Sequence, residues 1–203
     1  MGRSSWVDDD SMRLILAAML PANRLAVQVS DATGLRISDV LSLKTDLVRR
    51  TQRPYVVDSK TGKTHRIYIP AELREQMLRQ AGKVWVWPGR LHPLEQHRTR
   101  QAVYKDMVRA AAVFVRSGQV ARGVQVSPHS ARKRAAARAY HKSGLTAAQS
   151  VLNHAAGDVA ITLLYALSDA AAGAGQTDQR ASKTKGGEDK LRKRQAASRQ
   201  HQR

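Results

Sequence analysis

Apolar residues recur at helical spacing along the first part of the chain. Asp8-Asp9-Asp10-Ser11 puts acids and a capping serine ahead of the run from Met12 to Leu20, which predicts a helix that Pro21 ends. Leu25, Ala26, Val29 and Ala32 follow at three- and four-residue intervals. They predict a second helix closing at Gly34, a residue suited to a left-handed cap. Arg36 lies just beyond, beside a new short helix.

The period changes between Leu47 and Pro70. Tyr55-Val56-Val57 and His65-Arg66-Ile67-Tyr68-Ile69 are β-rich runs separated by the turn-forming stretch Lys60-Thr61-Gly62-Lys63, so a small antiparallel sheet is expected. Helical spacing returns over Ala71 to Ala81 and Arg98 to Arg116, with a short apolar piece from Val84 to Gly89 between them. After Pro128 the pattern is helical in three pieces, roughly Ser130 to Lys142, Thr146 to Asn153 and Asp158 to Leu167. The fold class is α+β, mainly α, with a small antiparallel β-sheet.

After Leu167 almost no large apolar residue remains except Leu191, so the end of the chain cannot offset its ordering entropy. The expected division is an N-terminal extension over 1–10, a catalytic domain over 11–170, and a basic, disordered tail over 171–203. No internal repeat is visible.

Charge narrows the partners. The 203 residues carry a formal net charge of +19, which suits a polyanion better than a small metabolite. The tail has nine Lys or Arg against three Asp or Glu, so most of the surplus lies in the folded part. No apolar run approaches the roughly 18 residues that suggest a membrane span, so no membrane association and a soluble protein are expected. The chain has no cysteine, which removes disulfides, thiolate zinc sites and a catalytic thiol. No targeting segment is read at Met1-Gly2-Arg3-Ser4-Ser5-Trp6. The histidines form no His-Glu-x-x-His motif, and Asp8-Asp9-Asp10 is better explained as helix N-terminal charge than as a metal site. No cofactor and no metal is expected.

Residues able to act on a phosphodiester stand in order along the chain. Ala32-Thr33-Gly34-Leu35-Arg36-Ile37-Ser38-Asp39-Val40-Leu41-Ser42-Leu43 resembles the first arginine motif of the tyrosine recombinase (phage integrase) family, including the acid three positions after the arginine. Ser59-Lys60-Thr61-Gly62-Lys63 is similar to the family's β-hairpin lysine. Pro128-His129-Ser130-Ala131-Arg132 is similar to its His-x-x-Arg box, and Val151-Leu152-Asn153-His154 to its second histidine motif. The resemblance covers about Ser11 to Ser168 and makes Tyr165 the nucleophile by position. The chain departs from the family in three places: Lys133 follows the His-x-x-Arg box where a histidine is usual, Asn153 stands where glycine is usual, and the His154 to Tyr165 interval is longer than common. The family's separate N-terminal DNA-clamping domain is not expected, as in the compact fimbrial-switch invertases.

The resemblance implies a catalytic set of Arg36, Lys60, His129, Arg132, His154 and Tyr165. Tyr165 would attack the scissile phosphate and leave a 3′-phosphotyrosine, without ATP or magnesium. Arg36 and Arg132 suit the non-bridging oxygens because guanidinium offers paired donors and stays charged. Asp39 is expected to orient Arg36. Lys60 suits protonation of the leaving 5′-oxygen, with Lys63 its close rival. His129 suits proton transfer around the tyrosine oxygen, and His154 a hydrogen bond to the phosphate. Lys63, Lys133, Arg134 and Arg138 are candidate DNA contacts, although a charged helix can equally be a solvated face.

The implied partner is double-stranded DNA, bound by a homo-tetramer, with accessory DNA-bending or directionality proteins possible. The implied location is DNA-associated, in the cytoplasm of a bacterial or phage-infected cell. Three other functions fit part of the pattern. One is a decayed or regulatory DNA-binding homologue, another a topoisomerase-like enzyme that nicks and reseals alone. The third, a basic RNA-binding structural protein, explains the charge but not the ordered motifs.

Overall fold

The computed structural model describes residues 7–153. The third helical piece expected after Pro128, His154, Tyr165 and the tail lie outside the described residues.

Helix α1 (Asp9–Ala18) starts earlier than the sequence suggests. Asp8, not Ser11, is the cap: its carboxylate accepts the Ser11 N–H at 2.8 Å, which leaves Ser11 buried in the first turn. Pro21 does not merely stop this helix; it is the first residue of α2 (Pro21–Thr33). Proline lacks only an N–H that has no intrahelical partner at that position, so it opens a helix as readily as it ends one.

Helix α2 is the central element. It packs against α1, the short α3 (Ile37–Leu41), α5 (Ala71–Gln80), α6 (Arg100–Arg116) and α7 (Pro128–Leu152). Leu25, Ala26, Val27 and Val29 of α2 are buried in one apolar cluster with Met12, Ile15, Leu35, Val40, Ile69, Met77, Trp87 and Met107. Polar pins fix the junction of α1 and α2. Buried Asp106 of α6 accepts the Leu20 N–H at 2.9 Å and the Asn23 amide at 2.8 Å, and the Trp87 indole donates to the Ala22 carbonyl at 2.8 Å.

Helix α4 (Thr45–Arg50) leads into the antiparallel strands β1 (Tyr55–Val57) and β2 (Thr64–Arg66). Val56 faces His65 in the register. The second strand is shorter than the β-rich run, yet the pairing continues as single bonds: Ile67 N–H donates to the Pro54 carbonyl at 3.1 Å and Ile69 N–H to the Gln52 carbonyl at 2.8 Å. The two-residue period sends Val56, Asp58, Ile67 and Ile69 inward, where all four are buried, and His65 on the same side is half-buried.

The first two pieces expected after Pro128 are both present within α7, on either side of a non-helical break at Gly144 (φ 78°, ψ −169°). Ser127 and Ser130 close its start with a reciprocal capping box. Asn153 ends it in the left-handed region at φ 49°, which accounts for asparagine in a position where glycine is usual: these two residue types tolerate that conformation best.

Gly34 caps α2 at φ 73°, its N–H donating to the Ser30 carbonyl at 2.9 Å. A Cβ there would stand 2.4 Å from Val151 Cγ1 and 2.7 Å from the Val151 carbonyl oxygen. Gly62 shares the positive φ but has nothing within 4 Å of the same position. Gly62→Ala is therefore expected to cost only the conformational strain, about 1–2 kcal/mol. Gly34→Ala should cost clearly more, because the close contact is with backbone. Thermal melts of the two variants check this; equal shifts would contradict it.

Candidate active site

Arg36 is the residue before α3, in extended conformation, so its side chain leaves the helix start toward the β-hairpin. It is mostly buried, with 18% of the side chain exposed, and it needs an acid there. That acid is Asp58. Arg36 Nη1 pairs directly with Asp58 Oδ2, whereas Asp39 Oδ2 stands 4.0 Å away. The sequence suggests Asp39 as the orienting partner, and Asp39 does flank the guanidinium, but the direct bond belongs to Asp58. Asp39 instead accepts the Ser59 N–H at 3.2 Å, anchoring the start of the turn.

Asp58 also shapes the turn that carries the lysines. Its Oδ1 accepts the N–H of Lys60 at 2.9 Å and of Thr61 at 3.0 Å. The Asp58 N–H donates to the Lys63 carbonyl at 2.9 Å, and the Gly62 N–H to the Asp58 carbonyl at 2.8 Å. Lys60 and Lys63 are both exposed at the tip. Burial alone would raise the Asp58 pKa. The Arg36 hydrogen bond and charge, with the Thr61 and Lys60 N–H groups, overcome it and hold the carboxyl at about 2.

Arg132 of α7 is 3% exposed. Its Nη1 donates to the Gly34 carbonyl at 2.7 Å and its Nη2 to the Leu152 carbonyl at 2.7 Å. One guanidinium thus ties the backbone two residues before Arg36 to the backbone two residues before His154. His129 sits three residues earlier, exposed in the first turn of α7. Partial enclosure of its ring by neighbouring protein, then the charges of Arg132, Arg36, Lys133 and Arg100, lower its pKa below the ordinary 6.5 and favour the neutral imidazole.

The structure brings together Arg36, Asp39, Arg132 and His129, with the Lys60 turn joined to them through Asp58. His154 and Tyr165 follow the end of α7 outside the described residues. Two candidate DNA contacts are engaged elsewhere. Arg134 is 8% exposed and pairs with Asp9 at 2.5 Å and Asp31 at 3.4 Å, and Arg138 pairs with Asp31 at 2.9 Å. These two arginines fasten α7 to α1 and α2. Lys133 of the same helix is half-buried.

Sequence reasoning missed Asp58 and His65. An aspartate at the head of a Ser-Lys-Thr-Gly turn is a signal for side-chain bonding to the N–H groups that follow, and this signal was available for Asp58. His65 is half-buried and senses Asp58, Arg132, Asp39 and Arg36; burial is the leading cause of its lowered pKa. Its Nδ1 is buried with no hydrogen-bond partner. Among the described residues no group of three or more His, Cys, Asp or Glu could hold a metal ion, and no helix is long and apolar enough to cross a membrane.

The phage integrase family model matches residues 5–171, most of the chain. The chain belongs to the phage integrase family. The match runs through the segment that holds His154 and Tyr165 as well as the described residues. The mainly helical fold with its two-stranded antiparallel sheet is that of tyrosine recombinase catalytic domains. A lambda integrase fragment (residues 75–356), in a dimer bound to a COC′ core site, superposes with a TM-score of 0.64 at 21% identity, over 82% of this chain and 60% of that one. XerA recombinase gives 0.62 at 17% identity, over 87% and 64%. The catalytic domain of bacteriophage HP1 integrase gives 0.55 at 18% identity, over 82% and 89%. This family member therefore spans less than two thirds of the lambda integrase and XerA chains. Comparison with curated protein sequences returns no match.

The Asp58 pKa carries a stability consequence with a definite sign. A carboxyl lowered from 3.8 to about 2 stabilises the fold fully above its unfolded value, and that contribution disappears as pH falls through the folded value. The stability advantage of the natural protein over Asp58→Asn, measured by urea melts, should be constant above about pH 4 and close toward pH 2.

Proposed function

We propose that this integrase-family chain is the catalytic domain of a site-specific DNA recombinase that cleaves and rejoins DNA through a covalent 3′-phosphotyrosine. The observation that carries the reading is the Arg132 guanidinium, which bonds the carbonyls of Gly34, two residues before Arg36 in sequence, and of Leu152 at the end of α7. Family membership and the ordered motifs support it.

In this reading the Tyr165 phenol oxygen attacks the scissile phosphorus as the bond to the 5′-oxygen breaks. His129, whose surroundings favour the neutral ring, takes the phenol proton, and Lys60 gives a proton to the departing 5′-oxygen. Arg36, Arg132 and His154 stabilise charge on the non-bridging oxygens. The products are a 3′-phosphotyrosine and a free 5′-hydroxyl. Attack by a 5′-hydroxyl reverses the step and reseals the strand. Neither a nucleotide nor a metal cofactor enters this scheme.

The proposed partner is double-stranded DNA, with Lys63 and Lys133 as backbone contacts. Two duplexes would be held by a homo-tetramer, and accessory DNA-bending or directionality proteins would set the outcome among integration, excision and inversion. The protein would act DNA-associated, in the cytoplasm of a bacterial or phage-infected cell.

Nicked suicide duplexes covering the DNA that flanks the gene, incubated without magnesium and resolved on denaturing gels, test the mechanism. The natural protein is expected to form a covalent adduct and Tyr165→Phe none. Arg36→Lys should slow adduct formation by about 100-fold or more, because one ammonium cannot reproduce the paired donors. Lys60→Ala should fall by a similar factor and Lys63→Ala by much less; the reverse order would move the acid to Lys63. DNA binding with no adduct on any flank would instead mark a decayed or regulatory homologue.

A further inference from the structure

We propose that Asp58 is a positioning residue that couples the two cationic parts of the site, one carboxylate setting both the Lys60 turn and the Arg36 guanidinium. The proposal rests on the phosphotyrosine reading above. Its two oxygens divide the work: Oδ1 takes the Lys60 and Thr61 N–H groups, and Oδ2 takes Arg36. Asp39 does not duplicate this. It lies 4.0 Å from Arg36 and reaches only the Ser59 N–H, one residue short of the lysine.

The turn depends on that connection. Lys60, Thr61, Gly62 and Lys63 are all exposed, and a side chain at Gly62 would meet nothing within 4 Å. A lysine on an exposed four-residue tip samples many positions unless its backbone is fixed, and proton transfer to a leaving oxygen requires placement within hydrogen-bond reach. Charge-assisted bonds from the backbone to a buried carboxylate supply the fixing. Because the same carboxylate also holds Arg36, phosphate binding and lysine placement become parts of one arrangement. Loss of Asp58 should therefore damage both together.

The two effects separate with a change of leaving group. When sulfur replaces the 5′-oxygen at the scissile phosphate, the phosphorus–sulfur bond breaks to give a thiolate, which needs no proton. The full-length protein is assayed for adduct formation on matched oxygen and sulfur suicide duplexes, with Lys60→Ala as the reference for a lost acid. Asp58→Ala is expected to be about 100-fold or more slower on oxygen, and the sulfur substrate should recover at least tenfold of that loss. Asp58→Asn keeps an oxygen for the turn but no charge for Arg36, so it should be slowed on both substrates alike. The sulfur-to-oxygen ratio is taken within each variant and is independent of the folded fraction.

An Asp58→Ala protein that matches the natural one on both substrates overturns the proposal. So does one that loses both equally, since Lys60 placement would then not depend on Asp58. A natural protein that forms no adduct on either substrate overturns the phosphotyrosine reading itself, and this proposal with it.

Discussion

A buried guanidinium bonded to main-chain carbonyls governs the architecture of the site. Arg132 is almost wholly enclosed, and an enclosed charge is tolerated only where its N–H groups meet acceptors. Two of its bonds, each 2.7 Å, go to main-chain carbonyls, those of Gly34 and Leu152. Main-chain acceptors cannot swing away as side chains do, so the arginine is located by the fold rather than by rotamer choice. The left-handed cap at Gly34 exposes one carbonyl and the end of α7 the other, and helix α2 packs against α7 to hold them in range.

The two arginines of the motifs are held by different kinds of acceptor. Arg132 bonds the main-chain carbonyls of Gly34 and Leu152, whereas Arg36 faces the carboxylates of Asp58 and Asp39. A guanidinium carries several donors, so one such group can serve a carboxylate and a second anion at once.

Much of this was legible in the sequence where the controlling interaction is local. The Gly34 cap, the hairpin with its lysine turn, and the start of α7 after Pro128 all depend on neighbours within a few residues. Pro21 was misleading because proline marks both ends of helices, and only packing decides which. The Arg36 to Asp58 bond spans 22 residues and the choice between two acids depends on how the strand is laid against α3. Arg134 and Arg138 were read as charge available to DNA. Their acids, Asp9 and Asp31, come from α1 and α2, more than 100 residues away in the chain, and no local pattern reveals such a meeting.

The break at Gly144 has a geometric consequence for the whole domain. In a straight α-helix, residues twenty apart are separated by about 30 Å along the axis. Arg132 and Leu152 are twenty apart, yet side chain and carbonyl meet at 2.7 Å. The backbone at Gly144, with φ 78° and ψ −169°, lies in territory open essentially to glycine alone. There the chain leaves the helical course and comes back on itself, so a single residue without a side chain turns a rod into a clasp. The meeting of Arg132 with the Leu152 carbonyl is set at that point.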